Sequence, residues 1–576
     1  MKTHYKLLLI CILCAFNLSA ADIPQHISYT KIYDFLNELA IDGVIEINSV
    51  VKPYSRELIA QKLLEAKAKE EQLSHRQQKD LDFYLNDYAL ELNRLPETKV
   101  NIVKNDNLTF ALLQPAIHYR DSLFRCRMTP IVGAEFYYNK KDFVANRRIG
   151  ADFQGSAGKY FSVYGSLRDI AYQGELLARP GYLNDLPGNQ YKENMRDGEG
   201  ADYSDSRGGI KFSNNWLSIG LVKDNVIWGD NYHGSNILSG RAPSFPMLTL
   251  QVKPAKWFQL DYFHGWLVSN VLDSTRYYVE NGSRKHYRPA NKYMAANMLT
   301  FTPFRKLDIS VGNSVVYAEA NVQPAYFIPI AFYKSLDHTL TKGTETENQN
   351  SQLFINISSR NIKHLHLYTS IYADEIKFAR FQPSNKEANP ISYKVGAKIS
   401  NFPVQNLYAL GEYTHSNMIN YKHSIDVLTW ASNDYNMGHY LGDNAQEIYL
   451  ELGYKPLRGL DVALSYLNAR HGNEYEYLRR DAKNVKQIGN IISQGFMKDV
   501  VWTNTSYSFR ALYEVINNIY VGMNVMYSDI QGHAAKSKSI PGEVRPANAQ
   551  GYLDMFTPKF FQGKNITLNM MLSVGF

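Results

Sequence analysis

The chain has 576 residues, 45% of them hydrophobic, a formal net charge of +7 and a mean hydropathy of −0.35. The charge is mild and spread along the chain, with no Lys/Arg run, so nucleic acid is excluded as a partner. No stretch of eighteen consecutive apolar residues exists, so no transmembrane helix is expected.

At the start, Lys2 and Lys6 flank the apolar run Leu7–Phe16, and Ser19-Ala20-Ala21 supplies a small-residue cleavage site. Residues 1–21 read as a secretory signal peptide. Cys11 and Cys14 lie inside it, neither preceded by the small residue of a lipoprotein signal. Only Cys126 survives processing, so an intrachain disulfide framework is ruled out.

Residues 22–95 read as a small helical bundle, expected to dock at the periplasmic end of the strand-rich remainder. Lys31–Ala40 carries Tyr33, Leu36 and Leu39 at helical spacing, with Gly43 placed to end the helix. Ser55 can cap a second helix with Ile59, Leu63 and Ala66 on its inner face. Ser74 and Gln77 form a capping box for a third, with Leu81, Leu85, Tyr88 and Leu92 on one face. Residues 96–123 are a lead-in segment, although Leu108–Arg120 itself has strand character.

From 124 to 576 the period is two. Val132, Ala134, Phe136 and Tyr138 alternate with Gly133, Glu135 and Tyr137. Ile448, Leu450, Leu452 and Tyr454 alternate with Glu447, Tyr449, Glu451 and Gly453. The acidic members mark a lumen, because a charge facing lipid is costly. The final residues continue the pattern: Ile566, Leu568, Met570, Leu572, Val574 and Phe576 are apolar, and Thr567, Asn569, Met571, Ser573 and Gly575 lie between them. Connections alternate in length. Residues 401–405, 456–459 and 514–518 are short turns, whereas 320–349, 416–444, 471–498 and 529–564 are long loops. Counting back from Phe576 with both termini in the periplasm, strands fall near 565–576, 519–528, 499–513, 460–470, 445–455 and 406–415. They continue at 391–400, 365–377, 350–360, 307–319, 293–302 and 257–268, and end at 246–252, 216–223, 205–212, 160–169, 144–154 and 124–138. About eighteen antiparallel strands, an even number, predict an all-β transmembrane barrel of the outer membrane with long loops outside. The 42 tyrosines suit both strands and interfacial girdles.

Motifs for catalysis are missing: no G-x-S-x-G elbow, H-E-x-x-H helix, phosphate-binding glycine loop or Cys/His pair at zinc spacing occurs. No enzyme activity, metal or cofactor is expected. The loops instead gather aromatic and planar polar residues. Trp228, Tyr232, His233, Tyr277, Tyr278, Tyr287, Tyr421, His423, Trp430, Tyr435, His439 and Tyr440 lie near Asp230, Arg276, Arg284, Asn433 and Asp434. Rings stack on sugar C–H faces while polar groups bind hydroxyls. The expected polysaccharide-binding set is Trp228, Asp230, Tyr232, His233, Tyr421, His423, Trp430, Tyr435 and His439.

One stretch is specific. Ile227–Leu248 reads I-W-G-D-N-Y-H-G-S-N-I-L-S-G-R-A-P-S-F-P-M-L. It resembles the W-G-x-x-x-x-G-x-x-x-L-S-x-x-A-x-x-F-P segment of the Wzi-like capsule assembly proteins through Trp228, Gly229, Gly234, Leu238, Ser239, Ala242, Phe245 and Pro246. Asp230-Asn231 stands where that family often has Pro-Gly, so a different local turn is expected. Pro53-Tyr54-Ser55-Arg56, Tyr326-Phe327-Ile328-Pro329 with Phe332-Tyr333, and Gly438-His439 through Gly442-Asp443-Asn444-Ala445 extend the resemblance over nearly the whole mature chain. It implies an eighteen-stranded outer-membrane barrel with a periplasmic helical bundle. The implied role is lectin-like, attaching exported capsular polysaccharide at the cell surface. Expected partners are that polysaccharide, outer-membrane lipid and lipopolysaccharide, and the barrel assembly machinery, for which a terminal aromatic is the insertion tag. A diffusion porin and an outer-membrane lipid-modifying enzyme are the alternative readings.

Overall fold

The computed structural model describes residues 22–111, 116–191, 200–340, 349–374, 376, 378–382, 389–423, 425–473, 496–536 and 545–575. The leader 1–21 and Phe576 lie outside the described residues. Three helices open the described chain: α1 (Thr30–Ile41), α2 (Arg56–Lys67) and α3 (His75–Asp87). Ser55 caps α2 by accepting from the Leu58 amide, and Ser74 and Gln77 form a complete capping box on α3. Gly43 adopts φ +80° just past α1, where an added Cβ would meet the Lys306 Nζ at 2.7 Å. Helix α3 ends earlier than its apolar spacing suggests: Leu92 lies beyond the Tyr88 cap, in a turn.

Eighteen antiparallel strands then close a barrel. They begin with β1 (Phe124–Tyr138), β2 (Phe143–Ala157), β3 (Phe161–Gln173), β4 (Ala201–Ser213), β5 (Leu217–Asp224) and β6 (Phe245–Ala255). Next come β7 (Phe258–Leu267), β8 (Lys292–Phe304), β9 (Leu307–Tyr317), β10 (Gln349–Ser359), β11 (Leu365–Ala373) and β12 (Ile391–Ser400). The set ends with β13 (Leu407–Ser416), β14 (Ala445–Tyr454), β15 (Leu460–Gly472), β16 (Val500–Ile516), β17 (Ile519–Gly532) and β18 (Gly563–Val574). Short helices α4 (Tyr333–Leu340) and α5 (Ala549–Phe556) sit in two of the long connections.

The strand β18 pairs with both β17 and β1, the latter in the register Leu568↔Tyr138 to Val574↔Val132. Below that seam the foot of β1 is taken up by the lead-in. Ile117–Arg120 pairs with Arg125–Met128, and two further short strands, Asn101–Lys104 and Leu108–Ala111, continue the meander. Residues 108–111 and 116–120 thus extend the seam without adding a nineteenth full strand.

Connections alternate between two rims. One rim carries only short turns, such as 158–160, 305–306, 455–459 and 517–518, and the other carries the long loops 174–200, 225–244, 268–291, 318–348 and 417–444. The link 139–142 is the short exception on the loop rim. Outward positions are apolar and exposed, among them Ile149, Leu167, Ile210, Leu450, Leu464 and Leu572. Aromatics gather outward at both levels: Trp216, Trp257, Phe304 and Phe402 near the turns, and Tyr138, Phe143, Tyr507 and Tyr527 near the loops. That is the banding of a wall facing lipid.

The bundle docks on the turn rim through buried ionic groups. Glu38 on α1 accepts from Arg76, from Gln77 Nε2 at 3.0 Å, from Asn401 Nδ2 at 3.0 Å and from Lys455 Nζ at 2.6 Å. Tyr84 donates to Glu514 at 3.0 Å, and Arg127 to Asp87 at 3.0 Å. After α1 the chain enters the lumen. There Val51–Lys52 pairs antiparallel with Ile227–Trp228, which pairs in turn with Leu238–Ser239.

Candidate functional site

The two loops that carry most of the predicted site do not project from the barrel. Residues 225–244, 417–423 and 425–444 fold back into the lumen and pack as a plug. Trp228, Ile237, Leu238, Tyr421, Trp430, Tyr435 and Met437 form one buried cluster with the inward wall residues Met247, Phe263, Met294, Met298, Phe354 and Tyr372. The cause is the width of the barrel. Eighteen strands enclose more volume than wall side chains fill, and the apolar half of this lumen needs a cover.

Each predicted residue is placed by that packing. Trp228 meets Phe263 edge-on at 5.2 Å. The Trp430 indole donates to the Ile237 carbonyl at 3.1 Å. Tyr421 donates to the Asn236 carbonyl at 2.7 Å, and Tyr435 to the Ala178 carbonyl at 3.3 Å. Asp230 accepts from Ser49, and from Asn356 Nδ2 at 2.8 Å. All five are buried, as is His439. Tyr232, His233 and His423 are half-buried. Trp228, Asp230, Tyr421, Trp430, Tyr435 and His439 are therefore packed inside the barrel rather than displayed on external loops. Trp228, Tyr421, Trp430 and Tyr435 keep no open ring face on which to stack a sugar.

Sequence reasoning placed Glu447 on the lumen side but missed its link to the plug, and it missed Glu412 and Lys394 altogether. Glu412 on β13 accepts from the backbone amides of Tyr232 (2.7 Å) and His233 (2.9 Å), from Lys394 Nζ (2.9 Å) and from Tyr368. Lys394 also donates to the His233 carbonyl at 3.0 Å. Lys394 and Glu412 side chains have no exposed surface. Glu447 on β14 accepts from His233 Nδ1 at 2.9 Å and from Tyr440. The His233 ring stacks on Tyr449 at 4.0 Å. The only available signal was the alternation itself, which put charges at inward positions of β12, β13 and β14.

Burial opposes the charge on His233, but the Glu447 carboxylate outweighs it and pushes the imidazole up to about 9. A group raised in the folded state stabilises fully below its ordinary value of about 6.5 and loses that contribution as pH rises through the folded value. The plug is thus expected to be tightest below about pH 6.5 and to loosen toward pH 9. Limited proteolysis of the 225–244 loop across that range checks it, and His233→Gln should flatten the profile. A wild-type profile already flat between those limits would mean that the imidazole does not latch the plug.

Below the plug a cavity of about 850 Å³ opens toward the turn rim, bounded by Val51, Lys52, Tyr54, Trp228, Lys253 and Arg360 among others. Above it, the exposed feature is a two-stranded ribbon in the 268–291 connection, Leu272–Glu280 paired with Arg284–Pro289. One face carries Tyr277 opposite Tyr287 at 5.8 Å, with Lys285 Nζ 4.5 Å over the Tyr277 ring. The other carries Tyr278 stacked on His286 at 4.9 Å, flanked by Arg284 and Arg288. Tyr277, Tyr278, Tyr287, Arg284 and Arg288 are all exposed. A lone ribbon with both faces in water is marginal by itself, and its open rings and cations are what a glycan could use. Among the described residues no group of three or more His, Cys, Asp or Glu could hold a metal.

A family model described as "Capsule assembly protein Wzi" matches residues 142–529. Among solved structures, the outer membrane protein Wzi of Escherichia coli aligns at 10% identity and a TM-score of 0.55, over 97% of this chain and 99% of that one. It is described as a carbohydrate-binding β-barrel involved in group 1 capsule assembly. Acinetobacter baumannii OccAB1 aligns at 8% identity and a TM-score of 0.42, over 78% of this chain and 96% of that one. Pseudomonas aeruginosa OprD gives 9% and 0.39, over 78% and 94%. The last two likenesses are too loose to bear on function. No curated protein matches the chain.

Proposed function

The chain belongs to the Wzi capsule assembly family, and from that premise we propose that it is a non-enzymatic outer-membrane barrel that binds exported surface polysaccharide and helps attach it to the cell. In this reading the turn rim and its helical bundle face the periplasm and the loop rim faces outward. Lipopolysaccharide and lipid surround the wall, and the barrel assembly machinery inserts it.

The observation that carries binding is the Leu272–Pro289 ribbon. Its exposed tyrosines stand beside Arg284, Lys285 and Arg288, a surface suited to sugar rings that bear carboxylates. The buried set, from Trp228 to His439, then serves to brace the plug, and the ribbon makes the contact. Many weak contacts add along a repeating polymer. The plug favours this reading over a diffusion porin, since two loops occupy the lumen where a channel would run.

Replacing Tyr277, Tyr278 and Tyr287 together with Ala should weaken glycan binding strongly while leaving the barrel heat-modifiable. Each ring contributes about 1 kcal/mol, which compounds to about 100-fold in affinity. Glycan-array binding by refolded wild-type and triple-variant protein tests this. In cells, a strain lacking the protein should make polymer but release more of it to the medium. Absence of glycan binding by the wild type, with polymer retention unchanged, would overturn the reading and direct attention to bilayer conductance.

A further inference from the structure

Residues 320–333, A-N-V-Q-P-A-Y-F-I-P-I-A-F-Y, contain no charged residue, and neither the barrel nor the plug accounts for them. They leave the top of β9 and fold down over the outside of the wall. The register shows this. On β9 the outward positions are Leu307, Ile309, Val311, Asn313, Val315 and Tyr317, and on β8 their partners are Phe304, Phe301, Leu299, Asn297, Ala295 and Tyr293. The lower members are open, with Val311 and Phe301 exposed, whereas Asn297, Ala295, Val315 and Tyr317 are buried. Tyr326 and Tyr333, both fully buried, cover them in one cluster with Tyr262, Tyr293, Ala295, Val315 and Tyr317.

Two outward asparagines hold the strap. Asn297 Nδ2 donates to the carbonyls of Pro329 (3.0 Å) and Ala331 (2.9 Å). Asn313 Nδ2 donates to Ala331 O at 3.1 Å, and its Oδ1 accepts from the Tyr333 amide at 2.8 Å. The Tyr326 carbonyl accepts from Tyr262 at 3.0 Å, and the Gln323 amide donates to the Tyr317 hydroxyl at 3.2 Å. The Ala331 amide turns back to Ile328 O at 3.2 Å. Pro324 and Pro329 have no N–H to satisfy. Irregular backbone tolerates hydrocarbon only where its polar groups are met by protein, and here the wall and the strap meet those of Gln323, Tyr326, Ile328, Pro329, Ala331 and Tyr333.

Depth follows from the strand. Asn313 lies six residues above Leu307, which begins β9 at the turn rim. At about 3.3 Å per residue and a tilt of about 40°, that is roughly 15 Å up an apolar band about 25 Å tall. The face turned away from the wall is Ile328, Ile330 and Phe332, all exposed, Ile330 at 69%, while the Phe327 ring stacks on the outward wall residue His264 at 4.6 Å.

We infer that this strap lies in the bilayer, with the Ile328–Phe332 ridge among the acyl chains of the leaflet nearer the loop rim. The occupant of the ridge is lipid hydrocarbon. The uncharged sequence, the depth and the backbone bonds to the wall all fit it, and the ridge continues the outward apolar surface of Val311 and Ile355. The inference rests on the outer-membrane barrel alone and is independent of what the loops bind.

The test places a nitroxide at Ile330→Cys in a Cys126→Ser background, with the full mature chain refolded into phosphatidylcholine–phosphatidylethanolamine vesicles. Val311→Cys serves as the lipid-facing reference and Tyr278→Cys as the aqueous one. The label at 330 should show the oxygen-over-nickel-chelate accessibility of position 311. Nickel accessibility like that at 278 would overturn the inference by placing the ridge in water. Low accessibility to both agents would overturn it too, by placing the ridge under protein such as a second copy. In an Asn297→Ala/Asn313→Ala variant that stays heat-modifiable, the oxygen preference should be lost as the strap leaves the wall. Retention of that preference would show that the asparagines do not hold it.

Discussion

Placing arginine at Met570 and Leu572 together should abolish accumulation of the folded barrel in the outer membrane. Both side chains point outward from the closing strand and are exposed. Met570 pairs with Met523 on one side and Phe136 on the other, and Leu572 with Val521 and Ala134. The charges therefore fall on the seam that must form last to remove the sheet edges. A cationic side chain on the lipid face costs about 2–4 kcal/mol near mid-depth and less toward the rim. Unboiled gels and membrane fractionation should show loss of the fast-migrating species. Asn569→Arg is the control: it immediately precedes Met570 on the same strand but faces inward, 3.0 Å from Glu135, and should assemble. Wild-type levels of the double variant would mean that this face does not contact lipid.

The same alternation explains why the barrel could be read from sequence. A strand between lipid and a polar lumen has to write apolar and polar residues at period two, and a wide barrel repeats that pattern in every strand. The helices were legible for a similar local reason, since Ser55, Ser74 and Gln77 are capping residues whose partners lie three positions away.

What could not be read is where a long connection goes once it leaves its strand. Trp228 and Trp430 look alike in sequence whether they stack on sugar outside or on Phe263 and Phe354 inside. The choice depends on the free volume within the wall, a property of all eighteen strands. The latch partners of His233 are likewise far off in the chain, Glu412 and Glu447 being 179 and 214 residues away. The strap left one readable trace. Asn297 and Asn313 interrupt an outward apolar series in adjacent strands, and polar groups at such positions need a cover. By contrast, the ribbon tyrosines Tyr277, Tyr278 and Tyr287 stayed external because their strands pair only with each other.

The plug supplies the second large effect. Glu412→Ala should release it while leaving the barrel closed. The substitution strands Lys394 as an unpaired charge with no exposed surface and removes the acceptor for the Tyr232 and His233 amides. Breaking one partner of a buried pair costs on the order of 3–5 kcal/mol, and each orphaned donor adds about 1–3 kcal/mol. The wall ladder of β12, β13 and β14 is backbone-bonded and independent of that carboxylate, so heat-modifiability should persist. The plug, once loose, should expose 225–244 to protease. It should also open a path from the cavity under Trp228 to the loop rim, seen as a higher ion conductance in planar bilayers than that of the wild type. The double variant Lys394→Met/Glu412→Leu should recover most of the protection, because it buries no unpaired charge, although the two amides still want an acceptor. If Glu412→Ala keeps the loop protected and the bilayer silent, the plug is held by its apolar packing around Trp228, Tyr421 and Trp430, and the ionic pair serves only to satisfy itself.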